Sequence, residues 1–160
     1  GAIEGRRVCD LGCGTGILAC GAALLGASTV TGIDIDPGAI DVARRNAGML
    51  GVTVEFLAAD VRSPDVDWAG LACDTVVMNP PFGAQKAHAD RPFIDRALEL
   101  AGVVYGIFNE GSTPFVAAYT EGRATIDEVI RCVFPLKRTF AHHRKERVDI
   151  TVEVIRLGRI

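Results

Sequence analysis

The sequence is short of the features that would place it in a membrane, in an oxidising compartment or around a structural metal. No apolar run reaches the ~18 residues of a membrane span, and no leader-like pattern is visible at the start. The five cysteines, Cys9, Cys13, Cys20, Cys73 and Cys132, form no C-x-x-C pair and have no histidine cluster beside them. That argues against zinc ligation and against a disulfide framework, so no metal site is expected. Their apolar neighbours predict reduced, mostly buried thiols and a cytoplasmic protein. An excess of positive charge is also missing. The net charge is −3, so the chain as a whole does not advertise a polyanion as partner.

With 160 residues, 49% of them hydrophobic and 23% charged, residues 1–160 read as one globular domain with a real core. The chain opens Gly1-Ala2-Ile3 without Met, and a strand follows almost at once. A natural segment upstream is therefore expected. Strand-like and helix-like segments then alternate. Strands are expected over Arg7–Leu11, Thr29–Ile35, Val52–Ala59, Cys73–Met78 and Val103–Phe108. Helices are expected over Ile17–Leu25, Pro37–Leu50, Arg91–Leu100 and near Thr113–Glu121. Asp36 is placed to cap the second helix, with Pro37 at its first position and Gly51 beyond its end. Two longer strands, about Ile126–Leu136 and Val148–Leu157, read as an antiparallel pair. The alternation of β and α predicts an α/β protein with a mostly parallel sheet and a C-terminal antiparallel pair.

Asp10-Leu11-Gly12-Cys13-Gly14-Thr15-Gly16 links the first strand to the first helix. Glycines let the backbone turn tightly and let a ligand approach it closely. The carboxyl end of a parallel strand is where open α/β sheets bind nucleotides. A dinucleotide fingerprint would need glycine where Ile17 stands, and the phosphate-loop ending G-K-[ST] is missing. NAD and ATP therefore fit less well than another adenosine ligand. Asp34 ends the second strand, the usual place for a carboxylate that holds ribose hydroxyls. Asp60 ends the third, within reach of an adenine amino group, and capping a turn is its bland alternative.

Asn79-Pro80-Pro81-Phe82 follows the apolar run Thr75-Val76-Val77-Met78. Proline lacks the N–H that a continuing strand needs. The tetrapeptide instead holds one amide side chain and one carbonyl rigidly at a strand end, next to an aromatic face. Two acceptors and a stacking ring suit a planar –NH2 group, and they point to chemistry on an amine nitrogen. Tyr105 and Phe108 sit at the fifth strand, where both could wall this pocket; for Tyr105 core packing is the better reading. The stretch from Lys137 to Arg147 is strongly basic and reads as a solvated hairpin or a contact to an RNA backbone.

Together these residues resemble a class I S-adenosylmethionine-dependent methyltransferase. Asp10 to Gly16 resembles its first motif, Gly32-Ile33-Asp34-Ile35-Asp36 its second, and Asn79 to Phe82 the motif of amino-group methyltransferases. The segments Asn79 to Gly83, His88-Ala89-Asp90-Arg91-Pro92-Phe93 and Val103-Val104-Tyr105 resemble the archaeal branch of the methyltransferase-like protein five family. So do His142-His143-Arg144-Lys145 and Val148 to Val152. The resemblance implies a Rossmann-like seven-stranded sheet of order 3-2-1-4-5-7-6. It implies N6-methylation of an adenosine in small-subunit ribosomal RNA, with S-adenosyl-L-methionine as cofactor. The implied cofactor-binding residues are Asp10, Gly12, Gly14, Gly16, Asp34, Ile35, Asp60, Val61 and Asn79. The implied catalytic residues are Asn79, Pro80, Pro81 and Phe82, and Arg144, Lys145 and Arg147 would meet RNA. A small zinc-binding activator protein is implied as a partner at the outermost third strand. Other readings stay open: a glutamine-Nδ methyltransferase acting on a translation factor, a guanine-N2 rRNA methyltransferase, or a catalytically silent S-adenosylmethionine-binding partner subunit.

Overall fold

Apolar β-branched runs alternate with helical stretches bounded by glycine, proline or aspartate, and the computed structural model shows the sheet that results. The structure describes residues 1–81, 88–139 and 145–160, with only the backbone of 136–139 and 145–147. The first half runs β1 (Arg7–Leu11), α1 (Ile17–Leu24), β2 (Thr29–Asp34), α2 (Pro37–Leu50), β3 (Glu55–Ala58) and β4 (Thr75–Met78). The second runs α3 (Arg91–Leu100), β5 (Val103–Asn109), α4 (Thr113–Thr120), β6 (Ala124–Thr139) and β7 (Lys145–Arg159). The strand order is β3-β2-β1-β4-β5-β7-β6. Strands β1 to β5 pair in parallel, and β7 runs antiparallel between β5 and β6. This is the expected order, with the expected antiparallel pair at the C-terminal side.

The capping signals of α2 act as read. The Asp36 carboxylate accepts the Gly38 N–H at 2.8 Å, and Gly51 closes the helix in the left-handed region at φ 67. β3 is shorter than the sequence predicts. The Gly51 and Val52 N–H groups bond back to the last turn of α2, so the chain is still leaving the helix where extension was expected. Pairing with β2 begins only at Thr31 opposite Glu55. Conversely, β6 and β7 extend beyond their expected ends. They pair with one another from Ala124↔Arg159 out to Thr139↔Lys145. β5 pairs with β7 only as far as Asn109↔Val152, so the far part of the β6–β7 ribbon projects past the sheet.

One hydrophobic cluster joins α3 and α4 to the sheet through Leu11, Ile33, Met78, Ile94, Val116, Ile155 and Leu157. A smaller one, Val8, Ala19, Ala22 and Val30, seats α1 on the opposite side. Close packing at the centre demands glycine. A Cβ on Gly106 would stand 2.3 Å from the ring of Phe108 and 3.1 Å from the end of Met78. Both neighbours are buried and have little room to yield. Gly106→Ala should therefore destabilise the protein by about 1–3 kcal/mol, as overpacking typically does. Urea unfolding followed by circular dichroism checks this, and an unchanged midpoint would show that the core is slack.

Candidate active site

The glycine loop is built by β1 and anchored by β2. The Ile33 carbonyl accepts the N–H groups of Gly12 at 2.8 Å and Cys13 at 2.9 Å. Asp34 Oδ2 accepts the Gly14 N–H at 2.8 Å, and its Oδ1 accepts the Asp36 N–H at 2.9 Å. From the far side, Asn46 of α2 donates to the Thr15 carbonyl at 2.9 Å. The loop can take this path because Gly12, Gly14 and Gly16 adopt φ of 72, 52 and 88, a region most residues avoid. A Cβ on Gly14 would enter open space, whereas one on Gly12 would stand 2.9 Å from the Phe93 ring.

Two cavities meet at Gly12. The first, of about 290 Å³, runs over the ends of β2 and β3, where Ile33, Asp34, Ile35, Asp60 and Val61 face Pro81, His88 and Phe93. It offers an acid at one end, the Asp34 carboxylate, which has two acceptor sites left after its backbone bonds. Its walls are largely apolar, and Ile35 lies 64% exposed there. That combination suits a flat ring with a polar sugar attached. Asp60 meets Arg62 in a bidentate pair, Nε to Oδ1 at 3.0 Å and Nη2 to Oδ2 at 2.6 Å, and Oδ1 also takes the Arg62 N–H. The guanidinium holds this carboxyl down at about 2. Nε also reaches Oδ2 at 3.2 Å, so both oxygens are engaged by the guanidinium and a ligand amine would have to displace this longer bond. His88 stands at the entrance with φ 63; among non-glycine residues, histidine is one of those enriched in that region.

The second cavity, of about 520 Å³, lies between the glycine loop, the end of β4 and the β6–β7 ribbon. Asn79, exposed at the end of β4, faces Asp10, Gly14, Ile107, Phe134 and Ile150 across it. Pro80 is buried behind Asn79, and Pro81 turns toward the first cavity. The Asp10 side chain is 1% exposed. Its Oδ2 accepts the Ala19 N–H at 2.9 Å, in the first turn of α1, while Oδ1 has no partner among the described residues. Burial pushes this carboxyl up to about 7, opposed by the Ala19 bond and aided by the charge of Asp34. A buried acceptor left open beside a cavity is a place for a donor that the protein does not itself supply. No group of three or more metal-ligating side chains occurs among the described residues.

The structure thus brings Asp10, Gly12, Gly14, Asp34, Ile35, Asp60, Val61, Asn79 and Pro81 around two joined cavities. Gly16 lies apart from both: it caps α1, and its bare Cα lets α2 approach, since a Cβ would sit 3.1 Å from Ala43. Phe82 and Arg144 lie outside the described residues, and the side chains of Lys145 and Arg147 are not described. Neither Tyr105 nor Phe108 walls the pocket, and Tyr105 is half-buried beside Arg156 rather than in the core as expected. Phe108 is 2% exposed in the core, and the Tyr105 hydroxyl accepts from Arg156 at 3.2 Å. Between them, Ile107 lines the cavity. Strand alternation explains Phe108, which as the neighbour of Ile107 points to the opposite face; Tyr105 shares the face of Ile107 but lies farther down the strand, beside Arg156. Ile107, Phe134 and Ile150 escaped the sequence reading. The only signal for Phe134 was a large apolar residue beside a proline in a ribbon about to turn basic.

Comparison with known proteins is consistent along the whole chain. The family described as methyltransferase small domain matches residues 2–122. A protein of Methanocaldococcus jannaschii, itself described as uncharacterized, is 40% identical over 96% of this chain and 74% of its own length. The rRNA N(6)-adenosine-methyltransferase METTL5 of Danio rerio is 32% identical over 96% of this chain and 76% of its own. A crystal structure from Pyrococcus horikoshii, assigned to an RNA methyltransferase, matches with a TM-score of 0.83 at 35% identity. It covers 99% of this chain and 76% of that one.

The raised Asp10 carboxyl sets a pH dependence of known sign. Between its unfolded value, near 3.8, and about 7, the native state keeps a proton that the unfolded state has released. Stability attributable to this group therefore falls as pH rises through that window, and the loss is complete above it. Asp10→Asn keeps an acceptor for Ala19 and removes the titration. Its stability should gain on that of the unaltered protein as pH goes from 5 to 8, measured by urea unfolding at several pH values. Parallel pH profiles for the two proteins would contradict this account of Asp10.

Proposed function

As a member of the methyltransferase small-domain family, this chain is an S-adenosylmethionine-dependent methyltransferase, and we propose that the group it methylates is N6 of an adenosine in small-subunit ribosomal RNA. The observation that carries the reading is Asn79, exposed at the end of a central strand. It opens into the same cavity as the glycine loop, with Pro80 buried behind it and Pro81 turning toward the first cavity. The names of the METTL5 relatives in fish, fly and worm support the choice of rRNA adenosine.

The residues present fit the cofactor. Asp34 would hold the ribose hydroxyls with its two remaining acceptor sites, Ile35 and Val61 would flank the adenine, and Asp60 Oδ2 would take its amino group in exchange for the longer of its two Arg62 bonds. Gly12 and Gly14 leave room for the chain that follows, and the open Asp10 Oδ1 suits an ammonium or its bound water. S-adenosylmethionine supplies a methyl group on a sulfonium, already a strong electrophile.

The chain's own task is to make the amine a nucleophile. An adenine amine delocalises its lone pair into the ring. Asn79 Oδ1 and the Pro80 carbonyl each accept one N6–H, which draws the nitrogen toward tetrahedral geometry. The same acceptors stabilise the positive charge that develops on nitrogen. Rigid placement by the prolines holds the amine in line for transfer. A proton leaves after the transfer, so no strong general base is needed at Asn79. Phe82, outside the described residues, is assigned to stacking on the base through the family resemblance.

Two finer features belong to this reading. The basic segment that contains Arg144, Lys145 and Arg147 would grip the RNA backbone without reading sequence. Charge reversal at Arg144 and Lys145 should weaken RNA binding and flatten its salt dependence, with cofactor affinity intact. An unaltered salt slope would return this segment to a solvated hairpin. The outer edge of β3 would accept a strand from a small zinc-binding activator. Leu57→Lys places a charge on that edge and should abolish the activator's co-elution on size exclusion, and persistence of the complex would move the contact elsewhere. This reading places the protein in the cytoplasm, with its ribosomal substrate.

The decisive experiment incubates the protein with methyl-labelled cofactor and small ribosomal subunits, then digests the RNA and identifies the labelled nucleoside. N6-methyladenosine is expected; label on guanosine or on protein would favour the other readings. Asn79→Ala should lower the transfer rate by about 10²–10³ with little change in cofactor affinity. Asp34→Ala should weaken cofactor binding by roughly tenfold or more, measured by calorimetry. Wild-type turnover by Asn79→Ala would overturn the amine-acceptor mechanism.

A further inference from the structure

The second cavity is larger than the first, about 520 Å³ against about 290 Å³, and one of its walls contains none of the residues assigned above to the cofactor. That wall is apolar and comes from β5 and the β6–β7 ribbon. Ile107, Phe134, Ile150 and Val152 contribute to it. The register explains how they meet. Phe134 pairs with Ile150 across the ribbon, just beyond Asn109↔Val152, the last pair that β5 makes with β7. The parallel strands β4 and β5 end on the same side, so the ribbon overhangs the end of β4 where Asn79 stands. Ile150 and Val152 share one face of β7 by alternation, and their partners Phe134 and Cys132 share that face of β6.

Phe134 is 49% exposed and Ile150 39% exposed. A half-exposed aromatic ring in an overhanging ribbon contributes little to stability, whereas the large apolar side chains of the core are buried almost completely. Its ring faces a polar amide, Asn79, across a cavity open to solvent. An apolar wall opposite a hydrogen-bonding edge is the arrangement that holds a flat heteroaromatic ring by its face and its amine at once.

We propose that Phe134 is a substrate-positioning residue: its ring, backed by Ile150 and Ile107, forms the wall against which the target adenine is held while its amine meets Asn79. This rests on the adenosine reading of the site and assigns its second surface to β6. Asn79 fixes the amine, and Phe134 fixes the plane of the ring, so a base that left its stack would lose rotational freedom on entering the cavity.

The test separates the wall from the reading beneath it. Wild-type protein is first assayed for N6-methyladenosine in ribosomal RNA, which tests the reading alone. Phe134→Ala, Phe134→Leu and Phe134→Trp are then compared for single-turnover rate, KM for RNA and cofactor affinity. Stacking of a base on an aromatic ring predicts a loss of kcat/KM of roughly 5- to 100-fold in Phe134→Ala. Phe134→Leu should be similarly impaired, Phe134→Trp should be restored, and cofactor affinity should stay within twofold throughout. Rescue by an aromatic but not by leucine is a pattern that a merely structural role would not give. Activity of Phe134→Ala within twofold of wild type overturns the proposal, as does an equal loss of cofactor affinity. A change in solution mass without a change in rate also overturns it, and would make the wall a contact between copies. Should the wild type methylate no RNA adenosine, adenosine 5′-monophosphate is titrated into Phe134→Trp saturated with S-adenosylhomocysteine. Quenching beyond that of the Trp68 background supports the wall even then, and its absence overturns it.

Discussion

The structure depends on one constraint: a loop that bends through three left-handed glycines must find partners for its backbone amides, and β2 supplies them. Gly12 and Cys13 donate to Ile33, and Gly14 donates to Asp34. Without these bonds the loop would expose its N–H groups to a half-buried cleft, at a cost comparable to lost hydrogen bonds. With them, its path beyond β1 is fixed. That path in turn sets where α1 begins, so that Asp10 can cap the Ala19 N–H from inside the sheet. It also sets the ridge at Gly12 on which the two cavities divide. A residue that would otherwise be read only as a ligand contact, Asp34, is therefore part of the scaffold as well.

The carboxylates around the site sit in opposite environments. Asp60 is pinned as an anion by its guanidinium partner, whereas Asp10 is starved of water and has a single amide donor. One acid is a firm acceptor in the first cavity. The other, facing the second, is close to balance between its two forms near neutral pH, so a cationic group nearby would draw its proton off. The difference in environment follows from position. Asp60 stands at the end of the edge strand, where an exposed arginine can reach it, and Asp10 lies in a central strand between β2 and β4.

Much of this was legible in the residues. Asn79 with its prolines after an apolar run announced a strand end that presents an amide, and Asp36, Pro37 and Gly51 announced the bounds of α2. Strand order was another matter. Alternation of β and α limits it to a few arrangements, and only the family resemblance pointed to the one found. β3 was over-read because the hydrogen bonds that delay it belong to the end of α2, and no local propensity records them. Phe108 was misplaced because an aromatic residue near a site attracts attention that the two-residue period of a strand does not support. Phe134 is hidden in the sequence for the opposite reason. Its period was plain, but its place in the cavity depends on where β5 stops pairing with β7, a long-range register that neither strand states alone.

The β6–β7 ribbon is a cantilever. Up to Asn109↔Val152 it is one layer of a sheet and is held by β5; beyond that pair the ladder of the described residues joins β6 to β7 alone, with one further bond from the Glu110 N–H to the Thr151 carbonyl at 3.4 Å. A two-stranded ribbon twists more strongly than a wide sheet, so its free part swings away from the sheet's own plane at a pitch set by its few residues. Among the described residues no helix or third strand pairs with the overhang in the ladder, so a pair added to it or taken from it would leave the register of the core unchanged. Reach and rigidity are thereby separated. The cavity wall sits at the root of the overhang: Phe134↔Ile150 lies just beyond the last pair with β5, close enough to the anchor to be held by it, while the pairs farther out carry the strand toward the basic segment.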